Sequence, residues 1–147
     1  MFQIKKAYFF LLFLFFITVE SYAQIQSISG SGLWKESTTW LGGVVPGEND
    51  DVIINGNIAI KSNTTIRNLS ITSTGVLYNF ENNFPDLHVK GNLVNNGTIK
   101  DNDNGGYIDL FSYGNVTNHG TFSNYYLTFK SNSNQYIGGE STYQIKS

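Results

Sequence analysis

The residues best suited to chemistry in this sequence are two clusters of carboxylates. Glu48, Asp50 and Asp51 fall within four positions, directly before the apolar run Val52-Ile53-Ile54. Calcium takes about six to eight oxygen ligands, and the Asp-x-Asp-x-Asp-Gly spacing of a dedicated calcium loop is absent here. The string Asp101-Asn102-Asp103-Asn104-Gly105-Gly106 is closer to that pattern but lacks the distal glutamate. Asp50, Asp51, Asp101 and Asp103 are therefore calcium candidates, and the alternative for each is a turn in which an Asp side chain accepts local backbone amides.

The same carboxylates are also the candidates for acid–base catalysis. Glycoside hydrolysis needs two carboxyl groups held about 5 Å or about 6.5–9.5 Å apart, and sequence alone places no two of them across a cleft. Arg67, the single arginine, lies in an ordinary strand and turn context, and His88 and His119 are the only histidines. Neither histidine accompanies a nucleophile motif or a zinc-protease motif. The sequence indicates no enzyme and, calcium apart, no cofactor.

The aromatic residues are the candidates for ligand contact. Trp34 and Trp40 are six positions apart, and Tyr125 is followed by Tyr126. Exposed aromatic faces of this kind stack on sugar rings, so Trp34, Trp40 and Tyr125 are candidate glycan contacts. The preferred alternative for the two tryptophans is a cap that buries the open end of a sheet. Strand alternation requires only one of the two tyrosines to face outward.

Composition indicates an all-β protein with no covalent staple. The chain has no cysteine and is rich in Asn, Gly, Ser and Thr between β-branched and aromatic residues. Its formal net charge is −2 and its basic residues are scattered, so nucleic acid is an unsuitable partner. Short strands are predicted at 51–54, 58–60, 65–72, 76–78, 87–89, 107–111 and 127–129.

An internal repeat organises these strands. Gly91–Ile99 aligns with Gly114–Phe122 at an offset of 23 residues, with five identities and two conservative matches. Such a period in a strand-rich sequence is typical of one coil of a β-solenoid. Stacked coils predict amide ladders from Asn side chains, left-handed turns at Gly97 and Gly120, and Ile99 stacked on Phe122 in the core. A β-sandwich with two similar hairpins is the competing fold.

The amino terminus reads as a secretion signal. Lys5 and Lys6 precede an apolar run from Ala7 to Val19, and Ser21 and Ala23 place a cleavage site after Ala23. The run is shorter than the ~20 residues of a membrane-spanning helix, so a cleaved signal is favoured over a retained anchor. We expect a secreted or outer-surface protein with no membrane insertion after cleavage.

The segment 31–57 carries Trp34, Thr39-Trp40, Gly42-Gly43, Pro46 and Asp51-Val52-Ile53-Ile54. This pattern resembles the module that opens many extracellular parallel β-helix proteins, and it is most similar to the N-terminal region of large surface proteins exported by the type IX secretion system. In such proteins the W…TW.GG..P...D.V.I segment leads into coils with Asn-Gly-Thr-Ile turns. The resemblance implies that the tryptophans cap the first coil.

These observations predict a right-handed parallel β-helix of about four or five coils with an N-terminal cap. The expected organisation is a signal peptide at 1–23, a cap segment at 24–57 and coils at 58–147, incomplete at the C-terminus. The expected function is structural or adhesive, with a surface glycan or an extracellular protein as partner and self-association through an open coil edge. The alternative is the non-catalytic N-terminal portion of a larger polysaccharide-degrading β-helix enzyme.

Overall fold

The chain forms a β-solenoid of about five turns. The computed structural model describes residues 22–124 and 126–140, together with the backbone of 143–145. The predicted signal peptide therefore lies outside the described residues up to position 21. No helix within the described ranges is both long and apolar enough to cross a membrane. The prediction of a parallel β-helix is confirmed.

Each full coil contributes one strand to each of three parallel sheets. Sheet I consists of β1 (Gln24–Gln26), β3 (Asp51–Ile54), β6 (Asn68–Ile71), β9 (Leu93–Asn95), β12 (Val116–Asn118) and β15 (Ile137–Gly138). Sheet II consists of β2 (Ser31–Leu33), β4 (Asn57–Ile60), β7 (Val76–Asn79), β10 (Thr98–Lys100), β13 (Thr121–Asn124) and β16 (Tyr143–Ile145). Sheet III consists of β5 (Thr64–Ile66), β8 (Asp86–Val89), β11 (Asp109–Ser112) and β14 (Tyr126–Phe129). The single strand predicted over 65–72 is instead two strands, because the chain turns a corner at Arg67.

The 23-residue repeat is one coil, as predicted. Leu93 pairs with Val116 in sheet I, and Ile99 pairs with Phe122 in sheet II. Both members of each pair are buried. Alternation along each strand sends one side chain inward and the next outward, so apolar residues stack in columns through the solenoid. Ile58, Leu77, Ile99 and Phe122 form one such column.

Asparagines form ladders, as predicted, but without left-handed backbone. Buried Asn95 donates through Nδ2 to Oδ1 of Asn118 at 2.7 Å. A second ladder lies on the surface, where Oδ1 of Asn68 accepts the amide of Asn92, and Oδ1 of Asn92 accepts the amide of Asn115. Glu81 is the one non-glycine residue of the described chain with positive φ. The ladders therefore depend on side-chain hydrogen bonds between coils.

The prediction of positive φ at Gly97 and Gly120 is wrong. Neither is among the positive-φ glycines of the described chain. They lie at the corner between sheets I and II, where successive coils approach most closely. A Cβ at Gly120 would meet the carbonyl oxygen of Gly97, and one at Gly97 would meet that of Thr72. The corner requires glycine for lack of space.

The amino-terminal end of the solenoid is closed by a cap. Residues 39–41 run back antiparallel along the outer edge of β1, with a bridge between Ser27 and Trp40 and hydrogen bonds of 2.9 Å from Ile28 N to Thr39 O and from Leu41 N to Gln26 O. These bonds occupy backbone groups that an edge strand would otherwise expose. The cap replaces a further rung of sheet I.

Candidate functional site

The two tryptophans are core residues of the cap. Trp34 is 0% and Trp40 is 2% exposed, and the rings meet edge to face with centroids 5.0 Å apart. Trp40 Nε1 donates to the carbonyl of Trp34 at 2.8 Å. Because both rings are buried, neither face is open to a sugar, and the two tryptophans are corrected from candidate ligand contacts to packing residues. Tyr125, the third candidate, lies outside the described residues.

Asp50 and Asp51 make local contacts. Asp50 Oδ2 accepts the amide of Gly47 at 2.8 Å, which is the turn arrangement given above as the alternative to calcium. The carboxylate of Asp51 binds the guanidinium of Arg67 and also accepts Nδ2 of Asn68 at 2.7 Å. The Arg67 guanidinium in turn lies 3.6 Å from the ring centroid of Tyr22. Asp51 thus joins the start of β3 to the next coil.

Asp101 and Asp103 lie in the loop between β10 and β11. Asp101 is buried, whereas Asp103 is exposed. Asn102 fixes the start of the loop by donating its amide to Oδ1 of Asn79 at 2.6 Å. Within the ranges that the structure describes, no three His, Cys, Asp or Glu side chains come together in a way that could hold a metal ion. The structure does not bring the four calcium candidates together.

The two histidines are on different parts of the solenoid. His119 is exposed at the corner beside Gly120, in agreement with the turn position that the repeat predicts. His88 lies on the outer face of sheet III, where its Nδ1 is 3.0 Å from the hydroxyl of Tyr113 and its ring stacks on Phe111 at 4.6 Å. These contacts direct attention to the outer face of sheet III.

Three aromatic side chains form a continuous row at the leading edge of that face. Phe84 and Tyr107 precede β8 and β11, and Tyr126 begins β14. The ring centroids are 4.8 Å apart between Phe84 and Tyr107 and 4.9 Å apart between Tyr107 and Tyr126, with interplanar angles of 74° and 61°. Phe84 is 53% and Tyr126 is 47% exposed. We call Phe84, Tyr107 and Tyr126 the aromatic row.

Two carboxylates lie beside the aromatic row. Asp86 and Asp109 are direct register partners on β8 and β11, and Tyr126 is the register partner of Asp109 on β14. Asn63 holds Asp86 through a 3.2 Å hydrogen bond from Nδ2 to Oδ2. Partial burial and the neighbouring Asp86 charge raise the pKa of Asp109, while desolvation and the Asp109 charge raise the pKa of Tyr107. The pair is a concentrated set of hydrogen-bond acceptors.

The opposite edge of the face is basic but largely neutralised. Lys90 Nζ is 2.9 Å from Glu48 Oε2, and Lys130 Nζ lies 5.4 Å from the ring centroid of Phe111. Between the two edges, His88 and Phe111 form a central stacked column. The face therefore changes across the strands from aromatic and acidic, through aromatic, to basic.

The sequence contains a signal for this face that the analysis above did not use. Phe84 and Asp86 repeat as Tyr107 and Asp109 at the same 23-residue offset as the glycine and asparagine positions. Extending the repeat backward places these residues on the same face in adjacent coils. Tyr126 is 19 residues beyond Tyr107, so its position in the aromatic row required the structure.

The face has no counterpart among characterised proteins from which a role could be transferred. No protein-family model, curated protein or solved structure matches the chain. Its function therefore has to be argued from its own geometry.

Proposed function

We propose that this chain is a secreted structural and adhesive module that works outside the cell, at the outer surface, without catalysis. The observation that carries the proposal is the outer face of sheet III, where exposed aromatic rings and carboxylates lie on adjacent rungs of a regular scaffold. Exposed aromatic surface costs solvation free energy unless a partner covers it. A module that holds such a surface in fixed register is suited to adhesion.

The scaffold supports the structural part of the proposal. Parallel rungs stack through core columns and through asparagine ladders such as Asn95 to Asn118. Each coil is held by its neighbours, so stability is approximately a sum over coils and their interfaces. Such a body keeps the spacing of its surface groups under load, which adhesion requires.

The resemblance to the N-terminal region of type IX-exported β-helix surface proteins agrees with this proposal and is part of it. The secreted location rests on the signal-like pattern at residues 1–23. The partner is a surface glycan or an extracellular protein. Self-association through the last rung, formed by β14, β15 and β16, is the further partner that the proposal admits.

Cell fractionation of the full chain tests the proposal. The gene, with a C-terminal epitope tag, is expressed in its producing cells, and the medium, the cell surface and the cytoplasm are separated. We expect tagged protein outside the cytoplasm, sensitive to added protease on intact cells, with an amino terminus at Gln24. Ser21→Arg with Ala23→Arg, which blocks the predicted cleavage site, should leave the precursor uncut. Protein that stays in the cytoplasm with Met1 intact would refute the secreted location.

A further inference from the structure

The aromatic row and the neighbouring carboxylates together present two kinds of contact on one surface. The rings of Phe84 and Tyr126 expose carbon surface that can stack against apolar C–H groups. Asp86 and Asp109 offer carboxylate oxygens, which accept charge-assisted hydrogen bonds from hydroxyl groups. Sugar rings carry C–H groups on their faces and hydroxyls at their edges, so one sugar can use both kinds of contact.

The distribution of charge selects among polysaccharides. The carboxylates lie beside the aromatic row, and the basic residues of the same face are at its far edge, where Lys90 is already paired with Glu48. A polymer that carries carboxylates, sulfates or phosphates would place like charge next to Asp86 and Asp109. An uncharged polymer has no such penalty.

The carboxylates also distinguish a glycan from an apolar protein partner. An apolar surface laid over the aromatic row would remove water from Asp86 and Asp109 without replacing the hydrogen bonds. Asn63 binds Asp86, but no described residue donates a side-chain hydrogen bond to Asp109. A ligand with many hydroxyls supplies donors wherever it lies along the row.

We propose that Phe84, Tyr107, Tyr126, Asp86 and Asp109 form a binding site for an uncharged polysaccharide chain that lies along the solenoid axis. The inference rests on the proposed adhesive function and names its ligand class. The direction follows from the geometry, because the three rings follow one another across successive coils at 4.8 and 4.9 Å. The stacking contacts with Phe84 and Tyr126 carry affinity, and the carboxylates orient the chain.

Affinity electrophoresis in native gels tests the site with the purified full chain. The gels contain one soluble polysaccharide each: a mixed-linkage glucan, a galactomannan, a xyloglucan and a xylan as uncharged probes, and polygalacturonate and heparin as anionic probes. We expect at least one uncharged polymer to retard the protein and neither anionic polymer to do so. Tyr126→Ala should weaken retardation about tenfold, which corresponds to about 1.4 kcal/mol.

Matched variants separate the site from general effects. Tyr136 is 71% exposed and lies off the aromatic row, so Tyr136→Ala should bind like the parent protein. Tyr126→Phe retains the ring and should keep most of the affinity, whereas Asp109→Ala should lose several-fold. Far-UV circular dichroism of each variant confirms that the solenoid remains folded.

Four outcomes would overturn the inference. They are no retardation by any uncharged polymer, stronger retardation by an anionic one, equal binding by the parent and Tyr126→Ala, and a concentration-dependent dimer that Tyr126→Ala abolishes. The last would assign the face to a second copy of the chain. Each leaves the fractionation result intact, so an extracellular protein without glycan binding refutes this inference but not the secreted location.

Discussion

Replacing Gly120 by alanine should destabilise the solenoid because of crowding between coils. A Cβ built at Gly120 comes within 2.8 Å of the carbonyl carbon of Asn96 and of the amide nitrogen of Gly97, and closer still to the Gly97 oxygen. All three atoms belong to the backbone of the preceding coil, so no side chain can rotate away. Carbon atoms pack best at about 3.5–4.0 Å, so the two coils must separate by at least about 0.7 Å at this corner.

That displacement reaches the hydrogen bond beside it. Thr121 N donates to Gly97 O at 2.8 Å, and the shift would lengthen this bond to about 3.5 Å, beyond the ordinary N–H···O range. Loss of one such bond costs about 1 kcal/mol, and overpacking adds about 1–3 kcal/mol. We therefore expect Gly120→Ala to lower the free energy of unfolding by about 2–4 kcal/mol.

Urea unfolding followed by far-UV circular dichroism measures this loss. Gly42 is the matched control, because its φ is +84° and a Cβ there has nothing within 4 Å. At Gly42 asparagine should be better tolerated than alanine, since asparagine adopts left-handed backbone more readily. At Gly120 asparagine should be at least as damaging as alanine. A loss below about 0.5 kcal/mol for Gly120→Ala, or its rescue by asparagine, would refute the crowding argument.

Three further substitutions test other parts of the structure. Asn95→Asp replaces the Nδ2 donor that binds Oδ1 of Asn118 with a carboxylate in a fully buried corner, and should cost at least about 1–3 kcal/mol in urea unfolding at pH 7. Asp109→Asn should stabilise the fold at pH 7 by roughly 0.2–1 kcal/mol, because it removes the charge opposite Asp86. The pKa of Asp109 is raised on folding, so its destabilising effect grows as pH rises through the folded-state pKa, and the variant and parent should melt alike well below 3.8, the reference pKa of this carboxyl. Phe122→Ala empties a site that is 1% exposed and should cost about 3–5 kcal/mol, and equal midpoints for parent and variant would contradict its place in the core column.

The coil architecture was predictable because each repeat carries its own register. The 23-residue offset alone paired Ile99 with Phe122, as the structure does. The reason for Gly97 and Gly120 was not predictable, since a glycine required by a close neighbour and one required by positive φ look the same in a sequence. The corner at Arg67 was missed because the apolar alternation runs through it without interruption.

The candidate site was only partly accessible from sequence. Aromatic residues were recognised as ligand candidates, but burial decided against Trp34 and Trp40, and burial depends on contacts between distant segments. The aromatic row joins Tyr107 to Tyr126 across an irregular step of the last coil. That contact depends on how the loop before β14 closes, which periodicity does not determine.

The antiparallel bridge between Ser27 and Trp40 gives the assembly of this protein a direction. With that edge of sheet I occupied, each later rung of the sheet is added on the side away from the cap. A chain is synthesised from its amino terminus, so a rung of sheet I can dock on a template that was made before it. Paired strands are separated by only one coil of sequence, which keeps the entropy cost of each docking step small. The solenoid can therefore fold vectorially, coil by coil.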